Sequence, residues 1–188
     1  LRVVFFYDLN KRMTVLTRTP PNTNYLQPTK FLVTFDRIPN TTYFCQAVNL
    51  PGINVGQAPI NFPSLDVYAP GNKLSYNNLS MTFTVNETMD SWKDLHNWFR
   101  SFAAPSGTEE RNRLTAIQNA GKPVAKPWYS DAVLTVVNNL NNPIIRVQFT
   151  NMFPVSLSDI QFDTKMSADD IITADVTFVY EQFEFLPI

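Results

Sequence analysis

The chain lacks most of the residues on which chemistry is usually built. It has one histidine, His96, and one cysteine, Cys45, among its 188 residues. Any serine, threonine or cysteine nucleophile activated by histidine would have to route through His96. A zinc site needs three or four good ligands, and one His with one Cys does not supply them. Glycine is scarce too, with five residues and no spacing that forms a P-loop or a dinucleotide-binding turn. A lone thiol cannot close an internal disulfide, and inside Tyr43–Val48 it reads as a small buried hydrophobe.

Charge of one sign is also missing. Fifteen basic and 16 acidic residues leave a net charge of -1, so no extended positive face is available to neutralise a phosphate backbone. No stretch approaches the roughly 18 apolar residues needed to cross a bilayer. The opening Leu1–Tyr7 meets Asp8 and Lys11 too early for a secretory signal. These absences read as a soluble, non-enzymatic chain with no catalytic residues, no metal, no cofactor and no membrane partner.

What is present is strand. With 44% apolar residues the chain can bury one good core and is too short for two large ones. Phe31, Val33 and Phe35 alternate with Leu32, Thr34 and Asp36, and Leu79, Met81, Phe83 and Val85 alternate with Ser80, Thr82 and Thr84. Period-two alternation places successive side chains on opposite faces of a half-buried sheet. Ala132, Leu134 and Val136 followed by Ile145, Val147 and Phe149 predict a hairpin across Asn138–Pro143, where Asn tolerates left-handed backbone. Two phase slips follow. Val155 and Leu157 give way to Ile160 and Phe162, and Ala174, Val176, Phe178 and Tyr180 give way to Phe183 and Phe185. Each slip predicts a β-bulge, near Ser158–Asp159 and near Glu181–Gln182, because an unabsorbed residue would turn the core face outward.

One helix is well specified. Over about 89–103, Trp98, Phe102, Leu95, Phe99, Ala103, Trp92, His96 and Met89 occupy one half of the cylinder. Asp90, Lys93, Asp94, Asn97, Arg100 and Ser101 occupy the other. Thr88 is placed to cap it, and Asp90 puts negative charge at the positive end of the dipole. His96, on the edge of the stripe, reads as a ring packed at the helix–sheet boundary. Thr108–Asn119 predicts a weaker second helix with Leu114 and Ile117 inward and Glu109, Glu110, Arg111 and Arg113 solvated. Asp163 and Asp169–Asp170 are the carboxylates a glycosidase could pair, and they read as solvated loop acids.

The order of elements carries a resemblance. Lys30–Asp36, the Leu-Pro-Gly elbow in Tyr43–Ile53, the Pro-Gly turn and strand of Pro70–Glu87, the helix Trp92–Phe99 and the closing strand Asp175–Phe183 together resemble the tail-tube superfamily of contractile-tailed bacteriophages. Within it they are most similar to the ring proteins at the tube's ends, the tail-completion (tube terminator) and tube-initiator proteins of T-even-like phages. The resemblance implies a mainly β fold, a two-sheet antiparallel sandwich or barrel-like tail-tube domain with one flanking amphipathic helix. It also implies hexameric rings whose inner sheets join into one barrel. Residues 1–25 have no counterpart and read as an N-terminal arm. Residues 26–188 form the single domain, with a loop or helix insert at about 103–128.

The function expected is therefore mechanical: a virion subunit forming a hexameric ring coaxial with the tube. It would contact tube, sheath, neck or baseplate subunits and leave a channel that DNA passes without being gripped. Candidate interface residues are Leu50, Pro51, Gly52 and Ile53 at the elbow, Pro70 and Gly71 at the second turn, and Trp98 and Arg100 as exposed helix-edge residues. The alternatives are a repeated tube subunit, a carbohydrate-binding β-sandwich of a tail or receptor-binding protein, and a small hydrolase built on His96 or a carboxylate pair.

Overall fold

The computed structural model describes residues 23–38, 41–42, 44–118, 128–165, 167 and 170–187. The proposed N-terminal arm lies outside these, apart from residues 23–25. The strands are β1 (Phe31–Phe35), β2 (Cys45–Val48), β3 (Ile53–Phe62), β4 (Leu65–Tyr76), β5 (Leu79–Thr84), β6 (Ser130–Val137), β7 (Pro143–Leu157), β8 (Thr173–Val179) and β9 (Gln182–Leu186). Between β5 and β6 lie the helices α1 (Asp90–Ala103) and α2 (Thr108–Gln118).

All strand pairings are antiparallel. One sheet runs β1-β6-β7-β9 and the other β7-β8-β5-β2, with β7 belonging to both. The hairpin expected from the alternation forms, with Ala132, Leu134 and Val136 opposite Phe149, Val147 and Ile145. Its turn closes on Asn138, whose Oδ1 accepts from the amides of Leu140 and Asn142, both at 2.9 Å, while Asn141 takes φ 61°. The inner faces meet in one core: Val33, Phe35, Leu134, Val147 and Phe149 from the first sheet against Leu79, Met81, Phe83, Val176 and Phe178 from the second. The Phe35 and Phe178 rings lie 5.4 Å apart between the sheets.

Helix α1 closes one side of this core through Leu95 and Trp98, both fully buried. The Trp98 ring sits 6.0 Å from Phe178, and its Nε1 donates to the carbonyl of Trp128 at 2.9 Å, so a polar handle is satisfied where the indole is buried. The Arg37 guanidinium stacks over the same ring at 5.2 Å, and burial lowers its pKa to about 10.

The helix differs from its sequence reading in three ways. The N-cap position is Met89, in left-handed backbone at φ 56° and with no side-chain cap, while Asn86 Oδ1 accepts from the Asp90 amide at 2.8 Å; Thr88 donates its hydroxyl to the Asp90 carboxylate and Asn86 Nδ2 donates to it at 3.2 Å, and these two bonds hold that carboxyl below its usual range. The buried stripe is Ser91, Leu95, Trp98 and Ser101, and Ala103 is exposed. Ser91 and Ser101 are tolerated inside because their hydroxyls are bonded: Ser91 Oγ donates to Asn86 Oδ1 at 3.4 Å, and Ser101 Oγ donates to the Trp98 carbonyl at 2.7 Å and accepts from Arg37 at 3.4 Å. Helix α2 forms as expected with Leu114 buried, but Glu110 and Arg111 are half-buried rather than solvated. Glu110 pairs with Arg100 of α1, and Arg111 lies 6.0 Å over Trp128.

The joint between the sheets is in β7. Its buried residues are Val147 and Phe149, then Met152 and Pro154, so the alternation drops one beat at Thr150–Asn151. The break is a bulge against β6, where Ser130 pairs with Met152 and Ala132 with Phe149, and Asn151 adopts φ 52°. Opposite it, the facing chain drops a beat between Tyr180 and Phe183, so the expected slip at Glu181–Gln182 is a bend between β8 and β9 level with Asn151. Three bonds hold the joint. The Asn151 amide donates to Asp131 Oδ1 at 3.0 Å, its Nδ2 donates to the Glu181 carboxylate, and the Glu181 amide donates to the Thr150 carbonyl at 3.0 Å. The other expected bulge, near Ser158–Asp159, is not there. The register shift falls between Pro154 and Ser156, and β7 ends at Leu157, leaving Ile160 and Phe162 outside any strand.

Asn151→Val forces a β-branched side chain into left-handed backbone and removes one of the locking bonds. It should lower the unfolding free energy by about 1–3 kcal/mol in urea titrations, and Asn151→Gly by less. Tyr180, buried at the joint with its hydroxyl donating to the Asn77 carbonyl at 2.8 Å, has its pKa raised from 10.0 to about 12, first by burial and then by Tyr76. The folded state holds this proton more tightly, so the contribution is complete below pH 10 and is lost as pH rises toward 12. Stability should fall there by up to about 1.4 kcal/mol per pH unit, and Tyr180→Phe should flatten that limb of the stability–pH curve.

Candidate assembly surface

The Leu-Pro-Gly elbow works as the base of a projecting ribbon. Pro51 is buried and Leu50 is 52% exposed beside it. Gly52 sits so close under Asn77 that a Cβ would come within 3.1 Å of its Nδ2, and the Gly52 carbonyl accepts from the Asn77 amide at 3.0 Å. Asn49 ties the same corner to β5, its Oδ1 accepting from the Ser80 amide at 2.6 Å. The chain then leaves the core as β3 and returns as β4, an antiparallel hairpin paired with neither sheet.

This hairpin turns at Pro63–Ser64, between the paired Phe62 and Leu65. At about 3.3 Å per residue its ten-residue β3 reaches roughly 33 Å. Every residue of β3 is exposed, including Ile53, Val55, Ile60 and Phe62, and so are Leu65, Val67, Tyr68 and Leu74 of β4. Only at the root does the ribbon rejoin the core, through Tyr76, whose ring packs 5.7 Å from Tyr180 and 5.2 Å from Phe183. A free two-stranded hairpin is marginal in water, and a contiguous exposed apolar surface of this kind marks an interaction site.

Pro70–Gly71 is therefore not a turn. It lies in the middle of β4, where the register shifts between Val55 and Gln57. Glycine is required there by close approach, since a Cβ on Gly71 would stand 2.5 Å from the Gly56 carbonyl oxygen. Leu50, Gly52, Ile53, Pro70 and Gly71 thus gather on one ribbon and its base. Pro51 is buried at that base and not exposed on it. Trp98 is likewise not an exposed helix-edge residue, because its ring is completely enclosed by the core. Arg100 is committed to Glu110 and donates to Ser106 Oγ at 3.4 Å, which fastens α2 to α1. Reading the sequence missed the ribbon itself. Its signal was there in Ala58, Ile60 and Phe62 followed by Leu65, Val67 and Ala69 about a Pro-Ser turn.

Reactive groups are placed for packing. The His96 ring stacks on Trp92 at 5.4 Å. Cys45 is half-buried, its thiol directed at the Ala47 carbonyl at 3.7 Å and pushed up to about 11 by burial, far from thiolate reactivity at neutral pH. Asp163 and Asp170 line an open hollow with Asp159 and Asp175, while Asp169 lies outside the described residues. Among the described residues no group of three His, Cys, Asp or Glu is arranged to hold a metal.

The fold has relatives among solved structures. It is similar to the tube-terminating cap of the anti-feeding prophage, with TM-score 0.57, 13% identity, and coverage of 93% of this chain and 100% of that one. A chain of the sheath–tube complex of an extracellular contractile injection system, PVC, matches with TM-score 0.55 and 14% identity over 88% and 94% of the two chains. A chain from that system's sheath/tube terminator structure matches with TM-score 0.54 and 16% identity over 88% and 99%. No curated protein matches the chain. Residues 19–186 match the model of a family described as phage tail tube protein. With nearly the whole sandwich, its ribbon and its helices inside that match, the chain belongs to the phage tail tube protein family.

Proposed function

We propose that the chain is a non-enzymatic structural subunit that closes into a hexameric ring coaxial with the tube of a contractile tail, at one of the tube's ends. The observation that carries this reading is the exposed apolar ribbon of β3 and β4, a surface that a lone subunit leaves uncovered. Ring closure would also resolve the edges of β1, β2 and β9 that are unpaired among the described residues and would otherwise offer backbone groups to any passing strand. A place at the tube's end draws support from the likeness to a tube-terminating cap across that chain's full length. As a terminator or initiator the ring would cap or nucleate the tube and sheath and contact neck or baseplate subunits. Residues 1–25 and the insert at about 103–128 are the segments through which those partners would be distinguished. The near-zero net charge suits a channel that DNA passes without being held.

A second reading, a repeated tube subunit, is favoured by the tail tube family match and by the likeness to a chain of a sheath–tube complex. Stoichiometry separates the two. Native mass spectrometry and electron microscopy of the purified protein should show six-membered rings. Quantitation in purified tails should find one ring per particle for an end protein and many stacked rings for a tube subunit. A chain that stays monomeric and binds glycans would sink both readings.

A further inference from the structure

Strand β1 stands at the margin of its sheet, and among the described residues nothing pairs its outer side. The alternation of its ladder shows which backbone groups are left over. The Val137 amide donates to the Lys30 carbonyl at 3.1 Å and the Asp36 amide to the Asp131 carbonyl at 3.4 Å, so Lys30, Leu32, Thr34 and Asp36 are the residues that bond β6. Phe31, Val33 and Phe35 point their amides and carbonyls the other way. Thr42 Oγ1 takes the Phe35 amide at 3.3 Å, and the amides of Phe31 and Val33 have no partner among the described residues. The margin is apolar as well, with Phe31 half-buried on the core face and Leu32 53% exposed on the other. An open edge of this kind invites uncontrolled pairing.

One segment of the chain fits it. Val3–Tyr7 is a run of valine and aromatic residues, the types that favour strand, between Arg2 and Asp8. Phe31–Phe35 is a strand of the same length between Lys30 and Asp36. Laid antiparallel with Phe5 opposite Val33, the two segments put Arg2 across from Asp36 and Asp8 across from Lys30, whereas a parallel arrangement puts like charges together. Among the described residues neither Lys30 nor Asp36 has an ion-pair partner. Directly opposed residues share a face, so Val3, Phe5 and Tyr7 extend the core row of Phe35, Val33 and Phe31, and Phe6 covers Leu32. The other open edges do not match. Strand β2 is flanked by the uncharged Phe44 and Asn49, and β9 carries Glu184 after Glu181 with no cation.

We infer that Arg2–Asp8 adds to β1 of its own chain as an antiparallel edge strand and guards that edge in the free subunit. The connection allows it. The 21 residues from Leu9 to Thr29 span up to roughly 70 Å at about 3.3 Å each, against about 17 Å for β1, and the turn at Pro28–Thr29 breaks the line of the strand just before it begins. The entropy cost of closing such a connection grows only slowly with its length. Arg2–Asp8 lies ahead of residues 19–186, which match the family, so the guard belongs to this chain's own extension. Its release when a neighbouring subunit takes over the edge rests on the ring reading above; the pairing with β1 does not.

Disulfide trapping tests the pairing on the full-length chain, with Cys45→Ala removing the native thiol. Phe6→Cys combined with Leu32→Cys, at directly opposed outward positions, should close an intrachain disulfide under a mild oxidant. Phe5→Cys combined with Leu32→Cys, whose side chains point to opposite faces, should not. Disulfides between chains would overturn the assignment to the same chain, and thiols left free in both combinations would overturn the pairing. Amide hydrogen exchange reads the same contact without new cysteines. In the dissociated wild-type subunit the Phe31 and Val33 amides should exchange at least about tenfold more slowly than in Phe5→Pro, while Leu32 and Thr34, bonded to β6, stay unchanged. Equal rates at Phe31 and Val33 in the two proteins would overturn the added strand. The chain locked by the disulfide between positions 6 and 32 should close no rings until it is reduced, and rings formed by the locked chain as readily as by wild type would overturn the guarding role. A wild-type chain that never forms rings would remove the ring reading, with the disulfide result still deciding the pairing.

Discussion

The rest of the structure depends on the joint in β7. A single strand is asked to pair with β6 and β9 in one sheet and with β8 in the other, and straight alternation would send its side chains to the wrong side of the core after the bend. Asn151 resolves this by taking left-handed backbone, and Asp131 and Glu181 bind the groups the bulge leaves unpaired. Because β8 and β9 drop a beat at the same level, the inner face stays apolar from Val147 through Pro154 on one side and from Ala174 through Phe183 on the other. The sandwich closes because both strands of that pair bend together.

The joint also aims the ribbon. Tyr180, the last buried residue before the bend, bonds the Asn77 carbonyl, and Asn77 in turn bonds the Gly52 carbonyl at the elbow. Around it Phe149, Tyr180, Phe183 and Tyr76 pack ring against ring, with Phe149 and Tyr180 5.0 Å apart. The root of the hairpin is thus held by an aromatic cluster, while the apolar side chains of its tip are exposed. A rigid base with an exposed apolar end suits a contact made between subunits, since the ordering cost of the base is met on folding. Family membership and the geometry of the ribbon point the same way, toward work done by surfaces rather than by reactive side chains.

Legibility in the sequence followed the range of the interactions. The strand Leu79–Thr84 and the hairpin through Asn138–Pro143 could be read because alternation and turn chemistry act within a few residues. The slip at Glu181 was visible as a change of parity, but its partner at Asn151 was not, because Thr150 and Asn151 are polar and hide the beat that is dropped. Ser101 looked like a surface residue of a helix; Arg37, which donates to its hydroxyl inside, comes from 64 residues away. The ribbon was obscured by its punctuation, since an alternation interrupted by Gly56, Pro59, Pro63, Pro70 and Gly71 reads as turns and loop. Trp98 was read as an edge residue because its helix position borders the polar half, whereas Arg37 and Trp128 cover it from outside the helix.

By itself the sequence determined that the chain is strand-built around one core, that one amphipathic helix lies against it, and that a mechanical tail protein is the function its order of elements resembles. Those features are local, set by side-chain period, turn residues and composition. Only the tertiary structure decided which residues face outward as a surface. Burial is a property of what packs on a residue from elsewhere in the chain, so Pro51 and Trp98 went inside, Arg100 was claimed by Glu110, and the apolar side chains along β3 and β4 were left exposed.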